Sequence, residues 1–161
     1  MTAETILDAE LAAFLEGGVS IHAASRDAQC VPHLSRAIGC RVDPDRRRVT
    51  LFLVASQSGA VLADCRANGA IAAVFSLPTT HRTVQLKGSD AALAQVGEAD
   101  LVRIARYREA WIEQLAALGF DRAIPRTIAS GARGDIVAVT FTVSAAFLQT
   151  PGPSAGTRLR P

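Results

Sequence analysis

Lysine, cysteine and aromatic residues are all scarce in this chain, and each scarcity excludes something. Lys87 is the only lysine among 17 basic residues, the net charge is +2, and aromatics make up 5% of the chain. The arginines are dispersed and no aromatic platform is interleaved with them, which excludes the footprint of a nucleic-acid-binding protein. Cys30, Cys40 and Cys65 form an odd set without CxxC spacing, which excludes a disulfide framework and a zinc site. All three read as free, buried thiols, none with an evident activating base. His22, His33 and His81 are isolated, without HxH or i, i+4 spacing, so there is no metal signature, and no GxSxG nucleophile elbow occurs. No apolar run reaches the roughly 18 residues of a membrane span. The opening MTAETILDAE is acidic where a signal peptide is basic, so the expectation is a soluble, cytoplasmic protein.

What is present is a chain of 161 residues, 49% of them hydrophobic, enough for one domain over 1–161 to bury a core without staples. Ile6, Leu7, Leu11, Phe14 and Leu15 recur at helical spacing between Thr5 and Leu15, before Gly17-Gly18, and predict an N-terminal helix within 1–17 that covers one end of the fold. Val19 to Ser25 and Val31 to Val42 read as strands joined by RDAQC. Asp43-Pro44-Asp45 then turns the chain into a third strand, Val49 to Val54. The adjacent Arg46-Arg47-Arg48 reads as a solvated hairpin tip beside Asp43 and Asp45.

SQSGAVLADCRANG predicts a helix of about three turns, with Ser56 or Ser58 as N-cap and Asn68-Gly69 at its end. The apolar run Ala70 to Phe75 reads as a strand buried on both faces. After the turn Leu77-Pro78-Thr79-Thr80, the strand Arg82 to Leu86 places Val84 and Leu86 on one face and Thr83, Gln85 and Lys87 on the other, with a bulge or bend at Gly88. Leu101, Ile104, Trp111, Ile112, Leu115 and Leu118 form the stripe of a long helix from Glu98 to Leu118, ended by Gly119. A loop rich in Arg, Gly and Ser follows, then a β-branched strand from Asp135 to Val143 that is expected to close a barrel. The segment 150–161, TPGPSAGTRLRP, has too much Pro and Gly for regular structure.

This ordered set resembles the pyridoxamine 5′-phosphate oxidase-like family of FMN-binding split barrels, over roughly Phe14 to Leu93 and more weakly at the final strand. The anchors are Arg36-Ala-Ile-Gly-Cys-Arg41, the helix ending at Asn68-Gly69, the strand AIAAVF and Arg82-Thr-Val-Gln-Leu-Lys-Gly88. The resemblance implies a mainly β, α+β fold: an antiparallel split β-barrel of six to seven strands, paired as a homodimer with the cofactor site at the subunit interface.

It also implies site residues. Arg36 and Arg41, five positions apart on one strand, correspond to the basic residues that flank the flavin. A guanidinium fork suits a phosphate, and a cation near the ring edge favours the reduced form. Ser56 and Ser58 correspond to phosphate donors at a helix start, and Arg82 with Thr83 to contacts at the flavin edge. The chain departs from authentic oxidases at Ala60-Val61, where they carry a basic pair, and in lacking the C-terminal Trp and Arg of their substrate clamp.

The leading expectation is an FMN flavoprotein, an oxidoreductase acting on a small molecule but not a true pyridoxamine phosphate oxidase. A non-catalytic holder of flavin, deazaflavin or haem, or a cofactor-free structural dimer, are the alternatives. His22 reads as a core or interface histidine, and His33 and His81 as exposed. Trp111 reads as internal packing, whereas Phe120 and the tail are candidate interface elements.

Overall fold

A computed structural model describes residues 7–160. Helix α1 (Ala9–Leu15) is capped by Asp8, whose carboxylate accepts the Leu11 amide at 2.7 Å, and it buries Leu11 and Leu15. Thr5 and Ile6, the start expected for this helix, lie outside the described residues. Strands β1 (Ser20–Arg26), β2 (Pro32–Val42) and β3 (Arg48–Val54) form the expected antiparallel meander. At the β2–β3 tip Arg48 pairs with Asp43 at 3.0 Å, and the Asp45 carboxylate accepts the Arg47 amide.

Helix α2 (Gly59–Asn68) follows a short 3-10 turn and ends at Gly69, whose φ of +69° is the left-handed cap that glycine adopts without strain. Strands β4 (Ile71–Ser76), β5 (Thr83–Gly88) and β6 (Ala92–Gln95) precede the long helix α3 (Glu98–Ala117). Beyond it lie α4 (Ala123–Ile128), β7 (Ile136–Thr142), β8 (Ala145–Leu148) and β9 (Arg158–Leu159).

The described strands form one antiparallel sheet in the order β6-β7-β3-β2-β1-β4-β5-β8-β9. This is the α+β split-barrel architecture, with nine strands instead of six to seven. The additional strands β6, β8 and β9 have only two to four residues each, too few to print an alternation in sequence. β7 does not close the barrel: it lies between β3 and β6, and the outermost strands β6 and β9 remain unpaired with each other. The tail, expected to be irregular, supplies β9, which pairs with β8. Within the expected loop after α3, residues Ala123–Ile128 form α4.

Most of the buried apolar side chains form one cluster, with Ile21, Ala23, Leu51, Leu53, Ala73, Phe75, Val84 and Leu86 inside the curved sheet. The strand buried on both faces is β3, where Phe52 and Val54 are as covered as Leu51 and Leu53. β4, expected to be buried on both faces, alternates instead: Ile71, Ala73 and Phe75 are buried, while Ala72, Val74 and Ser76 remain half-exposed on the outward side. Gly88 ends β5 without a register shift. A Cβ there would stand 2.6 Å from the Phe141 ring and 2.8 Å from the Thr142 carbonyl oxygen, so the glycine permits close approach of β7.

Candidate functional site

The outward face of β2-β1-β4-β5 carries Arg36, one of three described side chains with a buried polar atom that has no partner. Its register aligns Arg36, His22, Val74 and Gln85 in one row across the four strands. A second row, Leu34, Ala24, Ala72 and Lys87, runs beside it, and a row of hydroxyls, Ser20, Ser76 and Thr83, runs on the other side. Small side chains in the middle make the face a shallow trough. At one end a cavity of about 330 Å³ lies among Ala24, Arg26, Ala72, Lys87 and Gly88.

Arg36 reaches along this face toward α3. Its Nη2 donates to the Ser20 hydroxyl at 2.9 Å, and its guanidinium carbon lies 4.5 Å from the centre of the Trp111 ring. Arg36 Nη1 and Trp111 Nε1 are both buried, and neither has an acceptor among the described residues. Unsatisfied buried donors are costly and uncommon in native folds. The two belong to side chains stacked on one another. The neighbouring His22 ring is half-buried, and burial first, then the Arg36 charge, lowers its pKa below the usual histidine value.

The five-residue spacing of Arg36 and Arg41 would place them on opposite faces of a regular strand. A bulge between Ala37 and Cys40 restores the phase, so both side chains leave β2 on the outward side. They meet opposite ends of α3. Arg41 donates to Asp100 at 2.5 Å and to Thr50 at 3.1 Å, with Asp43 at 3.7 Å, and so is held within the fold, about three helical turns from Trp111.

The other expected site residues are divided between places. Thr83 is on the outward face and its hydroxyl contacts that of Ser76 at 2.8 Å. The adjacent Arg82 pairs with Glu10 at 3.1 Å and stacks on Phe14 of α1, with 4.5 Å to the ring centre. Ser56 is bound through its amide and its hydroxyl to Asp135. Ser58 occupies the N-cap position of α2 but its hydroxyl contacts Ser35, at 2.6 Å, and caps no amide. Arg36 and Thr83 thus share a face, whereas Arg41, Ser56, Ser58 and Arg82 each hold protein partners away from the trough. Trp111 and His22 stand beside Arg36 as well. Trp111 was legible only as a member of the α3 stripe, and His22 only as one residue of an alternating strand.

A second polar cluster ties the sheet to α2. The Asp64 carboxylate accepts from the Ser25 hydroxyl at 2.6 Å and meets His33 Nδ1 at 2.8 Å. His33 is half-buried, not exposed as expected, whereas His81 is exposed. Cys40 and Cys65 are buried free thiols, but Cys30 is exposed, because it lies in the β1–β2 loop.

No metal-binding group of three or more His, Cys, Asp or Glu occurs among the described residues, and no described helix is long and apolar enough to cross a membrane. No protein-family profile and no curated protein matches the chain. Solved structures do. An F420 reductase is similar at 16% identity, covering 83% of this chain and 93% of its own, with a TM-score of 0.56. HupZ of Group A Streptococcus is similar at 18% identity, covering 93% and 99%, with a TM-score of 0.56. A putative pyridoxamine 5′-phosphate oxidase of Lactobacillus delbrueckii is similar at 13% identity, covering 90% and 97%, with a TM-score of 0.55. These likenesses establish the fold: it is the one shared by pyridoxamine 5′-phosphate oxidase-like split barrels.

Proposed function

We propose that this protein binds a flavin-type cofactor, FMN in the first instance, on the outward face of β2-β1-β4-β5 and uses it in oxidoreduction of a small molecule. The observation that carries this reading is the pair of buried, acceptor-free donors on Arg36 and Trp111, beside Thr83, Gln85 and His22 on one face. When bound, the isoalloxazine supplies electron-transfer chemistry. The chain's own residues do the rest. Ala24 and Ala72 leave space for a flat ring, and Arg36 and Trp111 donate to its acceptor edge. The Arg36 charge also favours the negative charge that accompanies reduction. The exposed Leu34 and the half-exposed Ala24, Ala72 and Val74 suit a second copy of the chain as roof of the site. The proposed state is thus a cytoplasmic homodimer.

A second reading, a cofactor holder without turnover, has its own support. Ala60-Val61 opens α2 where related oxidases carry a basic pair, and the nearby Ser56 and Ser58 hydroxyls already have protein partners. Deazaflavin or haem would then compete with FMN for the same face. The deciding experiment is the visible spectrum of the purified protein, before and after reconstitution with FMN and gel filtration. Flavin bands that persist support the proposal, and turnover with NAD(P)H or reduced deazaflavin and any acceptor separates enzyme from holder. A Soret band moves the assignment to haem. A colourless protein that rejects FMN overturns it.

A further inference from the structure

The cleft between α3 and α4 contains a second unsatisfied arginine, remote in kind from the trough and independent of the flavin reading. Arg108 and Ile112, one helical turn apart on α3, line a cavity of about 320 Å³ with Glu109, Arg126, Ala129, Ser130 and Gly131. Arg108 Nη2 makes one long contact, 3.5 Å to the Gly131 carbonyl oxygen, and its buried Nε has no acceptor. No carboxylate among the described residues pairs with it. Four nearby arginines differ: Arg103 pairs with Asp100, Arg122 with Glu113, Arg126 with Glu109 and Arg133 with Glu98.

Among the described residues lining the cleft, the one carboxylate, that of Glu109, faces Arg126 at 3.4 Å and forms no ion pair with Arg108. Partial burial also lowers the Arg108 pKa from its usual value. The buried Ile112 and Ala129 add an apolar wall. The backbone at Gly131 is drawn in tightly, since a Cβ there would stand 2.8 Å from Val54 Cγ2. The volume is at the small end of the range for ligand sites.

We propose that this cleft binds a small organic molecule bearing an oxyanion, with Arg108 as its anchor and Ile112 and Ala129 against its apolar body. The shared chemistry is a planar guanidinium facing a carboxylate or a phosphate. Benzoate and phenyl phosphate, which present the two oxyanions on the same ring, serve as probes, with benzamide as the uncharged control and chloride at matched ionic strength.

Amide chemical shifts of the full chain are followed during each titration. Saturable shifts at 129–131 with either anion, absent with benzamide and chloride, are expected, and the tighter anion identifies the class. Arg108→Gln should weaken that binding by about tenfold or more, and Arg108→Lys, which keeps the charge but not the fork, should retain part of it. Should Arg108→Gln not fold, the Lys variant decides the matter by its partial loss. Shifts confined to 22, 36 and 74, with none at 129–131, overturn this proposal while leaving the flavin site standing. Undiminished affinity in the variant that folds also overturns it.

Discussion

The guanidinium of Arg36 lies 4.5 Å from the centre of the Trp111 ring, and each of the two side chains keeps one buried N–H without an acceptor. A cation on an indole face is favourable by itself. What the arrangement does not supply, among the described residues, is a hydrogen-bond acceptor for either donor.

Removing the arginine tests this directly. Arg36→Ala is expected to raise the FMN dissociation constant by roughly ten- to a hundredfold, the equivalent of about 1.5–3 kcal/mol for a hydrogen bond to a charged group. Arg36→Lys should fall between. Flavin fluorescence quenching measures both, and full flavin occupancy in the alanine variant would count against the site.

The dimer is tested at Leu34, which is 69% exposed at the edge of the trough. Leu34→Glu places a charge where the second copy is proposed to sit, and light scattering should show the mass halved. A wild-type chain that is already monomeric at the same concentration removes the premise.

Gly88→Ala should destabilise the fold by about 1–3 kcal/mol, the usual cost of overpacking. Its new methyl would meet the Phe141 ring at 2.6 Å and the Thr142 carbonyl at 2.8 Å, and a backbone oxygen cannot rotate away. Urea unfolding gives the difference, and an unchanged midpoint would show that β7 gives way freely.

The three thiols should separate by reactivity. Cys30 is exposed. Burial raises the Cys65 pKa to about 11, and burial, with the nearby Glu16 charge, raises that of Cys40 well above its ordinary value. At pH 8 a thiol reagent should modify one equivalent in the native protein and the other two only after denaturation. Three equivalents reacting natively would mean that the core opens readily.

Asp64 should make stability depend on acid. Its carboxyl is held below the ordinary range by the Ser25 hydroxyl first and by His33 second. With the folded pKa depressed, this contribution is complete above the unfolded value of about 3.9 and is lost as pH falls through the lower folded value. Asp64→Asn should therefore have a lower urea midpoint at pH 7, and the difference should shrink at pH 3. A gap that is constant with pH would show that the carboxylate charge contributes nothing.

Legibility in the sequence followed segment length. β1 to β5 and β7 were readable from alternation or β-branched runs, and α3 from a stripe sustained over 20 residues. β6, β8 and β9 were not, because strands of two to four residues are held by the partner's backbone more than by any pattern of their own. α4, at six residues with Pro125 in its first turn, carries too little periodicity to separate it from a loop. Of the residues the ordered resemblance named, Arg36 and Thr83 share one face of the sheet. Nothing local marked Trp111 as their companion, since a tryptophan in a helical stripe normally just packs.

The sequence by itself determined the antiparallel core of the barrel, because side-chain alternation and turn chemistry act within a few residues of chain. Only the tertiary structure decided which outward surfaces are covered. α3 reaches back to pack on β2 and to meet Arg36 and Arg41, while the apolar β4 keeps an open face. The bulge between Ala37 and Cys40, where a Cβ on Gly39 would stand 3.3 Å from the Phe52 ring and 3.6 Å from Ile104, decided that two arginines at an odd spacing point the same way. Both outcomes depend on contacts between residues far apart in the chain, and the same contacts bring Arg36 of β2 against Trp111 of α3.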